Sequence, residues 1–363
     1  MKGKAEDLFF ALLRQGLWGE EEKLPDAEYD MQTWHGALAL ASEQAVLGIV
    51  ADGLGIDSSV KAPMEVAIKL ATTKISIEKR NNQINEKIAE LKTAFSNAGV
   101  PVVVVKGQNI ARCYRNPLSR TPGDIDLVVR PEDYENAKTV LKDKSDKEGD
   151  EIPNRCHYST CVGGIEVEIH GTLHSYLSRR INAYLDYVQN ELLCEGDKMP
   201  TKSAEVETLY IFIHLLQHFY RGGIGLRQFC DLACVLHFYR GTYDSEQMEK
   251  RLNSVGLVYE WKLIMSFLVN YLHLPIDDAI LFEQKYDNKI EILWKYIRRV
   301  GNFGKKKKAR VFNGSSRYLL RKIESFFRSF SSFSDTLVIS PINTVKFYVY
   351  YFSVGMVSVI RSE

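Results

Sequence analysis

Residues 101–130 read PVVVVKGQNIARCYRNPLSRTPGDIDLVVR, and the rest of the chain is arranged around them. Val102 to Val105 are β-branched and apolar on both sides, which suits a short buried strand better than a helix. The strand stops at Lys106-Gly107, and Ile110, Ala111 and Tyr114 then fall at helical spacing over Gln108 to Arg115. Pro117 and Thr121-Pro122-Gly123 turn the chain, after which Asp124-Ile125-Asp126-Leu127-Val128-Val129 predicts a second strand. Residues two apart in a strand share a face. Asp124 and Asp126 therefore point one way, while Ile125 and Leu127 enter the core. Two ionised carboxylates so close repel each other unless a hard divalent cation or strong donors neutralise them. The pair is thus a candidate metal site.

An Asp-x-Asp pair alone often does no more than face water. A third acid strengthens it. Within Gly164-Ile165-Glu166-Val167-Glu168-Ile169-His170, alternation puts Ile165, Val167 and Ile169 on one face and Glu166, Glu168 and His170 on the other. The strand-glycine-helix element also offers backbone N–H groups, where phosphate binds well.

Lys106-Gly107, Arg120, Asp124-Ile-Asp126-Leu-Val-Val and Val167-Glu168-Ile-His170 together resemble the nucleotidyltransferases of the DNA polymerase beta type. More narrowly they resemble the bacterial family labelled uncharacterised nucleotidyltransferase, often met near polysaccharide biosynthesis genes. His214-Leu-Leu-Gln-His218 and Leu226-Arg227-Gln-Phe-Cys-Asp231 extend the likeness to roughly residues 30–240. The first turn departs from the superfamily's usual Gly-Ser or Gly-Gly, and 16 residues separate Gly107 from Asp124.

The resemblance implies an α+β fold, a small mixed sheet of polymerase beta-like type embedded in a mainly helical chain. It also implies transfer of a nucleoside monophosphate from a nucleoside triphosphate to an acceptor. Asp124, Asp126 and Glu168 would hold one or two Mg²⁺ ions, with Glu168 also placed to take a proton. Lys106, Gly107 and Arg120 would meet the phosphates. His170, His214, His218, Arg227 and Asp231 would face the acceptor or support the acids. Glu166 is a weaker third acid, because the family's acid stands two residues before the histidine. The acceptor, whether sugar, lipid-linked glycan, protein or RNA, is left open.

Bland readings stand beside these. His170 can be a structural histidine. His214 and His218, four apart on a helix, lack further ligands for zinc and read as packed or substrate-facing. Arg227 and Asp231 can form an intrahelical ion pair. Two other activities also fit an Asp-x-Asp: a glycosyltransferase, although about a hundred mostly helical residues precede it here, and a nucleotide-binding regulator without turnover.

At 363 residues, with 26% charged and 45% hydrophobic, the chain has the composition of an ordinary globular protein and length for two or three packed units. A net charge of +1 exerts no global pull toward nucleic acid or membrane, and no DNA-binding motif is present. The charge is uneven: residues 301–363 hold eleven Lys or Arg against three Asp or Glu, so that tail carries +8 and the first 300 residues −7. Lys305 to Arg310 and the mixed basic and apolar stretch to Arg328 suit a solvated helix end, an anionic membrane surface or RNA. Phe347 to Ile360 is too short to span a bilayer. Six cysteines without a Cys-x-x-Cys pair read as reduced thiols in a cytoplasmic protein, and the N-terminus lacks the long apolar run of a secretory signal.

Four regions are expected: N-terminal helices over 1–99, the α/β core over 100–200, a helical domain over 201–300 and the basic tail over 301–363. Helices are predicted at 5–17, Asp30 to Val50, Glu65 to Asn97, Tyr134 to Leu141, Glu205 to Tyr220 and Leu226 to Tyr239, with three or four more over 244–300. The polar middle of the long helix reads as a solvated face or, alternatively, a charged groove wall. Asp143 to Asp150 reads as a loop, and Gly163-Gly164 as the turn of a hairpin.

Overall fold

The computed structural model describes residues 3–19, 29–56, 61–152, 155–195, 204–302 and 332–360. Its centre is one five-stranded sheet: β1 (Val103–Val105), β2 (Ile125–Val128), β3 (Asp150–Ile152), β4 (His157–Val162) and β5 (Ile165–His170). The order is β1-β2-β5-β4-β3, with β2 and β5 parallel and the other pairs antiparallel. Several strand-helix repeats in series are absent from the described residues, so the expected α+β architecture is what the sheet shows. The register places Asp126 beside Glu168 on neighbouring strands, as their shared polar face predicts.

The two faces of the sheet differ because the side chains alternate. On the back, Ile125, Leu127, Val129, Ile165, Val167 and Ile169 pack with Ile84, Leu91 and Phe95 of the long helix and with Tyr134, Ala137 and Leu141. On the front, Val103, Val105 and Val128 join the helical core, and Asp126, Glu168 and His170 lie beyond them.

Helices α1 (Lys4–Trp18), α2 (Met31–Glu43), α3 (Leu47–Ile56) and α4 (Met64–Asn97) precede the sheet, and α4 is one continuous helix of 34 residues. The expected helix over Asp30 to Val50 is broken at Gln44-Ala45-Val46, where Ala45 takes a positive φ of 56°. The break has a use. Gln44 Oε1 accepts from Leu226 N–H at 2.9 Å and its carbonyl from Arg227 N–H at 3.3 Å, satisfying the start of a later helix. The expected helix from Gln108 to Arg115 shortens to α5 (Gly107–Ala111), because Asn116 caps a 3₁₀ turn at Pro117–Ser119. α6 (Tyr134–Lys142) follows β2, and β3 occupies the end of the stretch read as a loop.

α7 (Arg179–Glu195) ties the sheet ends together. Gln189 Nε2 donates to the carbonyls of Val129 and Gly171 at 2.8 and 2.9 Å. The helical part contains α8 (Ala204–Arg221), α9 (Leu226–Phe238), α10 (Ser245–Val255), α11 (Val258–Leu272), α12 (Asp287–Val300), α13 (Phe333–Ile339) and α14 (Pro341–Ile360). α1 shares their core, crossing the region boundaries expected at 99 and 200, and Trp294 Nε1 donates to Glu6 at 2.7 Å. The basic run at 305–310 and the mixed stretch to Arg328 lie outside the described residues. Among the described residues no helix is long and apolar enough to cross a membrane.

The polar middle of α4 is partly an inner wall and only partly a solvated face. Asn81 is fully buried, and its Nδ2 donates to the carbonyls of Leu118 at 2.7 Å and Arg120 at 2.9 Å. Arg80 and Asn85 also bond inward, to the Gly164 carbonyl and to Gln108.

Candidate functional site

The acids come together where β2 and β5 run side by side. One ligating oxygen each from Asp124, Asp126 and Glu168 lies within 4.8 Å of the others, a spacing that admits a cation. Asp126 is buried, while Asp124 and Glu168 are half-buried. Their proton affinities diverge for local reasons. Burial, then the charges of Asp126 and Glu168, push Asp124 up to about 6. Burial works the same way on Asp126, but Lys106 and His170 outweigh it and hold that carboxyl below its ordinary value. Glu168 is likewise half-buried, yet hydrogen bonds from His157 and His170 keep it well below the usual carboxylate range.

Three carboxylates in a partly buried pocket form a hard, all-oxygen donor set suited to Mg²⁺. Burial and the charges of Asp126 and Glu168 raise the proton affinity of Asp124, and a bound cation would relieve that crowding. The residues present therefore fit the ion.

Lys106 stands at the turn between β1 and α5 with φ 54° and ψ −147°, an unusual conformation for a residue with a side chain. Its Nζ lies 2.6 Å from Asp126 Oδ1. Burial opposes its charge, but Asp126 more than offsets this and keeps the ammonium protonated. Lys106 is therefore bonded to an acid of the trio, and a phosphate would have to share it. Gly107 continues the turn at φ 33°, and a Cβ there would stand 3.3 Å from the Asp124 carbonyl. α5 is anchored from below, Asn109 Nδ2 donating to Glu207 of α8 at 2.9 Å.

Arg120 stands elsewhere. Its Nε and Nη2 donate to the two oxygens of Asp231 at 2.7 and 2.8 Å, a two-point pair that is buried and also receives the Tyr114 hydroxyl at 2.6 Å. The guanidinium expected at the phosphates is thus committed to α9. Asp231 takes its pair from Arg120, whereas Arg227 reaches the Thr121 carbonyl at 3.2 Å. Both residues brace the loop that delivers Asp124.

His170 Nε2 sits 2.8 Å from Asp126 Oδ1 and 3.4 Å from Glu168 Oε2, so it supports two of the acids. Those bonds raise its proton affinity against the effect of burial. Glu166 is exposed at the far end of β5. His214 and His218 of α8 have Nε2 atoms 3.2 Å apart and lie near Lys106 and Arg227. Burial and those cations depress both, His218 to about 3, so neither carries a proton near neutrality.

Residues missed in the sequence complete the site. His157 Nε2 lies 3.1 Å from Glu168 Oε2. The hairpin could have revealed it, since a turn at Gly163-Gly164 pairs Val162 with Ile165 and, counting back, His157 with His170. Tyr210 of α8 is buried against Lys106, and burial pushes its hydroxyl up to about 12. Arg155 stacks 3.3 Å above the Tyr176 ring, with Arg221 5.5 Å from the same ring, forming a cationic patch near His218. No sequence spacing pointed to that patch.

No curated protein and no solved structure matched this chain. A family model does, over residues 30–272, which takes in the sheet, the acids, the bracing helices α8 and α9 and more of the helical part than the motifs alone suggested. With two thirds of its length matched, the chain belongs to the family described as uncharacterised nucleotidyltransferase.

Proposed function

We propose that this chain moves a nucleoside monophosphate from a nucleoside triphosphate to an acceptor, at a Mg²⁺ site made by Asp124, Asp126 and Glu168. The observation that carries the reading is the convergence of three carboxylates, two from the parallel strands β2 and β5 and one from the residue just before β2, within 4.8 Å of one another, in a chain of nucleotidyltransferase family. When bound, Mg²⁺ supplies charge neutralisation for the triphosphate and the leaving pyrophosphate.

The chain's own residues do the rest. Lys106 fixes Asp126 and adds a positive charge beside the phosphates. The N–H groups of Gly107 and Gln108, first in α5, have no intrahelical acceptor and would be donors for a phosphate oxygen bound there. Glu168 is a better cation ligand than proton acceptor, because His157 and His170 hold it ionised. Asp124 serves as the third ligand, since a bound cation offsets the neighbouring charges of Asp126 and Glu168 that, with burial, raise its proton affinity. His170 orients Asp126 and Glu168 together. Arg120, Asp231 and Arg227 set the loop, a role that replaces direct phosphate contact for Arg120.

Mg²⁺-dependent pyrophosphate release from a panel of triphosphates, with a cell extract supplying acceptors, tests this. Asp124→Ala and Asp126→Ala should each lower release by about a hundred- to a thousandfold while circular dichroism stays unchanged, since a lost charge-stabilising group costs catalysis of that order. Wild-type-like release in both variants would remove the site assignment. Triphosphate binding without any release would instead favour a regulator.

A further inference from the structure

We infer that His157, Glu168 and His170 form a second divalent-metal site, built for a borderline transition cation such as Zn²⁺ and sharing Glu168 with the all-oxygen trio. His157 and His170 are directly paired on β4 and β5, and Glu168 is the next residue on the same face of β5. Their rings lie with centroids 4.9 Å apart. Glu168 Oε2 is 3.1 Å from His157 Nε2 and 3.4 Å from His170 Nε2, and one donor atom of each residue lies within 4.8 Å of the others.

Those distances match a metal geometry. Tetrahedral ligands with bonds of about 2.0–2.1 Å stand about 3.3–3.4 Å from each other. Two imidazole nitrogens and one carboxylate oxygen, with a position left open, form a donor set that zinc and its neighbours prefer and that Mg²⁺ does not. All three side chains are 14 to 21% exposed, so the site has an entry path. Both strands are held in the sheet, which fixes the donors before a metal arrives.

His170 Nε2 also faces Asp126 Oδ1 at 2.8 Å, and Asp126 faces Lys106. A cation between the histidines takes that nitrogen away from Asp126 and takes Glu168 away from the trio. A transition cation at this site therefore competes with Mg²⁺ for Glu168. The competition rests on the nucleotidyltransferase reading, whereas the metal site does not.

The experiment titrates metal-free full-length chain with Co²⁺ in the absence of Mg²⁺ and reads the visible absorption of the bound cobalt. Wild type and Asp124→Asn should bind one equivalent alike, and His157→Ala should bind at least about tenfold more weakly. Equal Co²⁺ binding by His157→Ala and wild type overturns the site, as does an equal loss in Asp124→Asn. A second measurement needs no variant: Zn²⁺ should protect both His157 and His170 of the wild-type chain from diethylpyrocarbonate, mapped by peptide mass. An unprotected His157 overturns the proposal. Pyrophosphate release by the same variants, with Mg²⁺ and without cobalt, reports on nucleotide transfer separately, since Asp124→Asn is expected to lose release and keep cobalt.

Discussion

Arg120 and Asp231 show how one pair can decide the position of another. Both are buried, and the guanidinium meets the carboxylate through two bonds of 2.7 and 2.8 Å. Removing one partner strands the other charge away from water. Asp231→Ala is therefore expected to cost about 3–5 kcal/mol in urea unfolding. Arg120→Met with Asp231→Leu should cost clearly less than the two single changes summed, because it leaves no orphan charge. Additive losses would mean that the pair is solvated and cannot brace the Asp124 loop. The acids themselves were legible in the sequence because strand alternation fixes which side chains share a face. The partners of Lys106 and Arg120 were not, since Asp126 is 20 residues from the one and Asp231 is 111 from the other, and no local pattern encodes such pairings.

Elements lock where backbones approach closely, and glycine marks such points. Gly53 of α3 lies against α1 so tightly that a Cβ would land on the Leu12 carbonyl oxygen, with the Gly16 amide nitrogen only 3.1 Å away. The obstacle is backbone, which cannot swing aside. Gly53→Ala is expected to lower stability by about 1–3 kcal/mol despite alanine's better helix propensity, read as a shift in the denaturation midpoint; a neutral or stabilising result would show that the two helices slide apart freely. Asn81 makes a similar point for α4. Its two bonds hold residues 118–120, so Asn81→Leu should cost about 1–3 kcal/mol by leaving one buried and one partly buried carbonyl without their donor. It should also lower Mg²⁺-dependent turnover, through the loop that carries Asp124. A single buried asparagine in a run of charged residues looks in sequence like one more solvated position, whereas long apolar periodicity, as in α8 and α9, was readable at once. The break between α2 and α3 escaped for the same reason: it serves the start of α9, about 180 residues on.

Across the whole molecule, the helical half places neutral imidazoles where the sheet half places acids. His214 and His218 face the cleft among Lys106, Arg227 and Arg221, and burial together with those cations drives their proton affinities down, His218 to about 3 from an ordinary 6.5. The consequence for stability has a definite sign. Above pH 6.5 the histidines are neutral in the folded and unfolded chains alike and contribute no pH dependence. Below it the unfolded chain gains their protons while the folded chain does not, so stability falls as pH falls toward the folded values. Each histidine gives a slope that approaches about 1.4 kcal/mol per pH unit. Between pH 5.5 and 4.5 the pair should remove on the order of 2–3 kcal/mol, partly offset by Asp124, which at about 6 takes up its proton in the folded chain first, and before the carboxylates that are held low, Asp126 and Glu168, add their own loss at more acidic pH. His170, whose proton affinity is raised, acts above pH 6.5 and does not obscure this window. Urea unfolding at stepped pH should show His218→Gln lowering the slope by about 1.4 kcal/mol per pH unit, because glutamine does not titrate. An unchanged slope in that variant would mean that the imidazole reaches water and that α8 does not close over the acids as tightly as its contacts with Lys106 require.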